Sequence, residues 1–351
     1  MAYTTINDPS AHFQTELWTG TSGTDTITFS GNSNLQLDFL WAKARTATYS
    51  NALFDTNRIT SGDYLPLFSD TTGAEQGDYT NELNTITADG FTVGTQPHTG
   101  NNGTNYVGWA WKANGGTTAS NSDGSVASTV QVNNTAGFSI VTYSGDGNGN
   151  FTVGHGLNSA PDFLVVKRRG STSNWYAWHK HLTSGSYVFY LNATNAQASE
   201  GTIWNGTAPT SSVFTIGTDA NIKASDTYVA YCFTSIKGYS KFGTYTGNAS
   251  ADGQFVYTGF KPAWLMTKRI SGSGQWSIND IPRHPFNVLD RTLLANQDSA
   301  ETTSSNYSTD FLSNGFKLRT ADDAVNDGTY VYLAFAEQPF VATNNVVATA
   351  F

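Results

Sequence analysis

Three lysines each stand twelve residues ahead of a titratable partner: Lys43 before Asp55, Lys167 before His179 and Lys268 before Asp280. A lysine beside a carboxylate or imidazole is the makings of general acid–base chemistry, and two carboxylates flanking a cleft would be those of a glycoside hydrolase. The repetition points elsewhere. A catalytic pair written three times along one chain, with its acid exchanged for His in the middle copy, reads as architecture. The stretches between the members are turn-rich, as in Gly170-Ser171-Thr172-Ser173-Asn174 and Ser271-Gly272-Ser273-Gly274. Each pair is therefore expected to face across a β-hairpin, as a structural ion pair for Lys43 with Asp55 and for Lys268 with Asp280.

The other candidate groups follow the same logic. Glu75 and Glu301 hold equivalent places after Ala74 and Ala300, where the middle copy has Gln197 after Ala196; Glu16, Glu82, Glu200 and Glu337 have no assigned role. Asp146-Gly147-Asn148-Gly149-Asn150 resembles the start of a calcium loop, but its sixth position is Phe151 in place of Gly and its twelfth is Leu157 in place of Glu, so a hairpin turn is expected. His179-Lys180-His181 puts two imidazoles on one strand face with no third ligand nearby in sequence. No nucleophile elbow, zinc-helix motif or phosphate-binding loop is present. The reading assigns no catalytic residue, no metal site and no cofactor. Trp175, Trp178, Trp204 and Trp276 fall near loops or hairpin ends, where an exposed ring would stack on a sugar face. They are the candidate glycan contacts, with Trp204 foremost because Gly201-Thr202-Ile203-Trp204-Asn205-Gly206 reads as a loop.

The elements that must position these residues are repeated. One strand recurs as Asn105-Tyr106-Val107-Gly108-Trp109-Ala110-Trp111, Thr227-Tyr228-Val229-Ala230-Tyr231-Cys232-Phe233 and Thr329-Tyr330-Val331-Tyr332-Leu333-Ala334-Phe335. Each copy opens on an aromatic, a hydroxyl residue and Gly (Trp18-Thr19-Gly20, Tyr143-Ser144-Gly145, Tyr245-Thr246-Gly247) and continues to an apolar run that ends in the lysine. A fixed set of elements at nearly constant offsets marks one β unit used three times. In the signature strand Val107, Trp109 and Trp111 share one face and Tyr106, Gly108 and Ala110 the other. A bulky face and a mostly small face suit two stacked antiparallel sheets. The expected organisation is an N-terminal arm (1–15), a first unit (16–113), a flexible linker (114–136), a second unit (137–237), a third unit (238–340) and a charge-free C-terminal segment (341–351) that adds to a sheet. The long linker predicts that the first unit sits apart while the second and third dock. Cys232 aligns with Ala110 and Ala334 and reads as a small buried filler.

Composition agrees with an all-β chain of three tandem β-sandwich units of jelly-roll or lectin-like type. Charged residues make up 13% of the chain, against about 25% in ordinary domains, and helix-favouring residues are scarce. A net charge of −9 without a basic run excludes a nucleic-acid surface. No apolar run approaches the roughly 18 residues of a membrane span, and the first fifteen residues lack the pattern of a signal peptide. One cysteine allows no internal disulfide.

Phe138-Ser139-Ile140-Val141-Thr142-Tyr143, Gly154-His155-Gly156-Leu157 with the following Ala160 to Arg168, and Phe311-Leu312-Ser313-Asn314-Gly315-Phe316-Lys317-Leu318 together resemble an uncharacterised β-rich repeat of structural and tail proteins of marine tailed bacteriophages. The likeness runs from about Phe13 to Phe340 and is weakest in the first unit, where Asn32-Ser33-Asn34-Leu35 stands in place of the His-Gly-Leu element. It implies a non-enzymatic virion protein, made in the host cytoplasm and placed in a tail fibre, spike or host-adhesion apparatus. The alternatives are a capsid decoration protein, and a lectin-like module or glycan hydrolase. The partners implied are other virion proteins, further copies of the chain and a host surface glycan, with no nucleic acid and no membrane.

Overall fold

The computed structural model describes residues 4–341. It is all-β, with 42% of residues in strands arranged as antiparallel sheets that form sandwich-like units. The scarcity of helix formers and the abundance of β-branched and aromatic residues account for this. The three copies share one core plan: the first strand of each unit, its signature strand and its lysine-bearing strand lie side by side in that order. In the first unit these are Phe13–Thr19, Asn105–Trp111 and Phe39–Ala44; in the second, Phe138–Ser144, Thr227–Phe233 and Phe163–Arg168; in the third, Ser240–Thr246, Thr329–Pro339 and Phe260–Arg269. A hairpin partner follows the lysine strand in each unit: Ala52–Asp55, Trp175–His179 and Trp276–Asp280.

The two faces of the signature strand do different jobs. Its smaller face packs inside its own unit: Tyr106 and Ala110 belong to the first unit's sandwich core, and Tyr330, Tyr332 and Ala334 to the third's. Its bulkier face leaves the unit. Val107, Trp109 and Trp111, Val229, Tyr231 and Phe233, and Val331, Leu333 and Phe335 enter one common cluster. The equivalent residues Trp111, Phe233 and Phe335 meet one another there, with ring centroids 6.3, 5.4 and 5.9 Å apart for the three pairs. The repeats thus surround a pseudo-threefold centre.

The expected separation of the first unit is not what the structure has. Residues 114–136 carry two strands, Ala119–Asn121 and Ser128–Asn133, which extend the second unit's sheet beyond Phe138–Ser144. Asn57 of the first unit donates its side-chain amide to the carbonyls of Thr129 and Ile140. A polar, glycine-rich stretch looks flexible in composition, yet here its alternating Val130, Gln131 and Val132 find a sheet edge. The arm is likewise absorbed: Phe13 begins a strand and stacks on Phe335 at 5.2 Å. The C-terminal segment, apart from Val341, lies outside the described residues.

Candidate functional site

The polar groups singled out in the sequence converge on the three seams around the shared core. Each hairpin register sets what faces the lysine. Lys167 stands opposite Trp175 and Lys268 opposite Trp276, while Asp55 faces Phe39 and Asp280 faces Trp264. The expected cross-strand pairs Lys43–Asp55 and Lys268–Asp280 therefore do not form. The turns are tighter than the twelve-residue spacing suggests, so Asp55, His179 and Asp280 each lie four residues, two strand repeats, past the position opposite the lysine.

The lysines instead fasten units together. Lys43 Nζ donates to Tyr49 O of its own turn at 2.6 Å and to Asp298 O of the third unit at 2.8 Å. Lys167 Nζ reaches Ser173 O at 2.6 Å and Thr72 O of the first unit at 2.9 Å. Lys268 Nζ reaches Gly274 O at 2.7 Å and Thr194 O of the second unit at 2.8 Å. First reaches third, second reaches first, third reaches second. The cycle closes. Burial lowers these ammonium groups, Lys43 to about 8 and Lys167 and Lys268 to about 7.

A second cycle runs beside the first. Trp175 donates its indole N–H to Phe68 O of the first unit at 2.8 Å, and Trp276 donates to Tyr190 O of the second at 3.0 Å. The first unit achieves the same link with Asn51, whose amide reaches Leu294 O and Gln297 O of the third. These bonds explain why Trp175 and Trp276 are wholly buried. Trp178 and Trp204 are buried as well, 6% and 2% exposed. None of the four expected glycan contacts presents its ring to solvent. A turn sequence around Trp204 did not reveal that the loop folds inward over the second unit's core.

The acids form buried networks with arginines. Asp55 pairs with Arg58 at 2.5 Å, and Arg58 also pairs with Glu75, which holds Arg169 of the second unit at 2.8 Å. Asp280 pairs with Arg283 at 2.6 Å, and Arg283 pairs with Glu301, which holds Arg45 of the first unit at 3.0 Å. Burial opposes ionisation of Glu301, but Arg45 and Arg283 outweigh it and hold the carboxyl below its ordinary range. The signature strands supply a further donor: Tyr231 gives its hydroxyl to Asp55 at 2.6 Å and Trp109 its indole N–H to Asp280 at 2.9 Å.

The third seam, between the second and third units, has exchanged the whole set. His179, Leu182, Gln197 and Ile270 replace Asp, Arg, Glu and the partner Arg, and Leu333 replaces the donor. His179 Nδ1 accepts from the His181 backbone N–H. Burial, with the charges of His181 and Lys180, lowers its imidazole to about 3. Removing one member of a buried ion network leaves its partners uncompensated, so the positions change together. The signal was present in the sequence as Asp-x-x-Arg at 55–58 and 280–283 against His-x-x-Leu at 179–182.

The remaining candidates are engaged locally. Asp146 accepts from the backbone N–H groups of Asn148 and Gly149 at 2.8 and 2.9 Å in a tight turn that brings Gly147 and Gly149 to positive φ. Glu82 bonds His98 and Thr99, Glu200 bonds the Tyr190 hydroxyl and Glu337 pairs with Lys261. Cys232 is buried, which raises its thiol. Among the described residues no group of three or more His, Cys, Asp or Glu could hold a metal ion.

A family model described as a domain of unknown function (DUF7483) matches residues 8–339, nearly the whole chain. No curated protein and no solved structure matches.

Proposed function

The chain belongs to the DUF7483 family, and we propose that this member is a non-enzymatic structural protein of a tailed-phage virion, part of a tail fibre, spike or host-adhesion apparatus. The observation that carries the reading is the joined core. Three repeats close cyclically around Trp111, Phe233 and Phe335; a lysine crosses each of the three seams, joined by Trp175, Trp276 or Asn51, and Arg169 and Arg45 cross two of them. Repeating particle parts are built on closed rotational symmetry, and a covalent pseudo-trimer supplies such a part as one rigid chain without disulfides. The likeness to the phage tail repeat and the polar, weakly charged composition point the same way.

Capsid decoration is the second reading, since a pseudo-threefold body suits a threefold position in a shell equally well. Mass spectrometry of purified virions, with labelled antibody under the electron microscope, tests both. Tail label supports the first reading, capsid label the second, and absence from the particle overturns both. The enzyme alternative is tested by incubation with host surface polysaccharide. A rise in reducing ends that vanishes on changing one Asp or Glu would replace the structural reading.

A further inference from the structure

The first strands of the three units occupy equivalent places but differ in what covers their outer side. In the second unit Phe138–Ser144 is paired there by Ser128–Asn133, residue for residue from Thr142 with Thr129 to Phe138 with Asn133. The preceding loop crosses Phe151–Gly154: Val126 N bonds Thr152 O at 3.1 Å and Ser128 Oγ bonds Gly154 O at 2.7 Å. In the first unit Phe13–Thr19 is also a sheet edge, and side chains alone bridge it to the neighbouring loop: Gln14 donates to Ser10 O and Ser33 O and accepts from Gly31 N, and Glu16 accepts from Ser30 N.

In the third unit Ser240–Thr246 is the edge of its six-stranded sheet, and among the described residues no strand pairs with its outer side. The Phe242 N–H faces outward and bonds Ser235 Oγ at 3.2 Å. Ladder alternation turns Thr244 and Thr246 outward too. A groove of about 360 Å3 separates this edge from Phe255–Tyr257. Phe255 and Tyr257, 41% and 49% exposed, stand where the second unit has Thr152 and Gly154, both bonded to the covering segment.

The groove is basic in an acidic protein. Lys241 takes the place of Gln14 and Ser139, donates to Tyr257 O at 2.7 Å and lies 5.3 Å from the Tyr257 ring centroid. Lys180 and His181 line the same groove, and Lys237 a hollow continuous with it. One carboxylate is at hand, Asp162, 3.1 Å from Lys180. Edge lysines oppose self-pairing, because two copies joined through this edge would bring like charges together.

We propose that this groove accepts an extended acidic segment of a partner protein, added antiparallel to Ser240–Thr246 as Ser128–Asn133 is added to Phe138–Ser144, with its carboxylates beside Lys241 and Lys180. Strand addition supplies main-chain hydrogen bonds, and alternate side chains supply selectivity. The segment carries acidic residues on the face shared with Lys241, Gly243 and Tyr245, and apolar ones on the face shared with Phe242. The inference rests on the internal repeat and is independent of the virion reading.

The test uses the full chain and blocked peptides of alternating Glu and Val, followed by titration calorimetry and amide exchange. The Glu–Val peptide is expected to bind and to slow exchange at Thr244 and Thr246. Methylation of alternate peptide nitrogens abolishes this. The Lys180→Glu, Lys241→Glu variant binds it about tenfold more weakly and prefers a Lys–Val peptide; Lys180→Glu alone, on an exposed side chain, shows a smaller loss with the fold intact by circular dichroism. No binding of the Glu–Val peptide, binding indifferent to methylation, or binding of oligogalacturonate in its place overturns the proposal.

Discussion

Trp109 in the signature strand of the first unit donates its indole N–H to Asp280 of the third at 2.9 Å, and both residues are fully buried. The bond joins the apolar centre to the ionic seam, so that the packing of one unit fixes the charge network of another. Tyr231 and Asp55 repeat it across the seam between the second and first units. Tyr231→Phe removes only a hydroxyl from a buried carboxylate and is expected to cost about 1.5–3 kcal/mol. Leu333→Met, at the equivalent position without a bond, should cost less than about 1.5 kcal/mol. Urea unfolding of the two variants measures the difference.

The buried lysines predict an unusual alkaline response. In the unfolded chain each amine keeps its proton to about pH 10.4, whereas in the fold Lys167 and Lys268 release theirs at about 7. Between those values the unfolded state binds more protons, so stability rises with pH. Each lysine contributes at most about 1.4 kcal/mol per pH unit. Stability measured from pH 7 to 9 should climb in the parent protein and climb less in Lys167→Met and Lys268→Met. Equal slopes would show that the amines stay charged in the fold.

His179 predicts the acid side. Its folded value of about 3 lies below the unfolded value of about 6.5. As pH falls from 6.5 toward 3, the unfolded chain takes up a proton that the fold refuses, and stability is lost; above 6.5 the residue is silent. Carboxylates titrate in the same window, so the readout is the difference between parent and His179→Leu. The variant is expected to lose stability less steeply with acid while matching the parent at pH 8.

The exchanged seam predicts strong coupling. Installing His179→Asp or Leu182→Arg alone places an uncompensated charge in a buried site, at a cost of about 3–5 kcal/mol, while Gln197→Glu or Ile270→Arg alone, at half-buried positions, should cost less. All four together recreate the partners found at the other seams. Denaturation midpoints should show the quadruple variant more stable than the sum of its single changes by well over the few tenths of a kcal/mol expected of independent sites.

Much of the fold was legible because its signals are local and repeated. The three signature strands, their alternating faces and the small filler at Cys232 follow from residue type and a period of two. What stayed hidden depends on contact between distant parts. The bulky face of Trp109 and Trp111 announces burial but not that its cover is another unit. The tryptophans near turns looked exposed because turns usually are, whereas the indole N–H groups of Trp175 and Trp276 needed carbonyls that only the neighbouring unit provides. The hairpin register failed for a smaller reason: turn-rich stretches show where a chain reverses, not at which residue. The linking lysines were found by type and spacing, yet their true acceptors are backbone carbonyls, which carry no mark in a sequence.

The central claim is that three repeats form one cooperative body around a shared aromatic centre. Scanning calorimetry of the full chain tests it most directly, with Trp111→Ala as the perturbation. The account predicts a single transition whose calorimetric and van't Hoff enthalpies agree. Trp111→Ala should shift that whole transition downward, by about 3–5 kcal/mol of stability. A first unit that melts as a separate peak, or a Trp111→Ala variant in which only that peak moves, would contradict it.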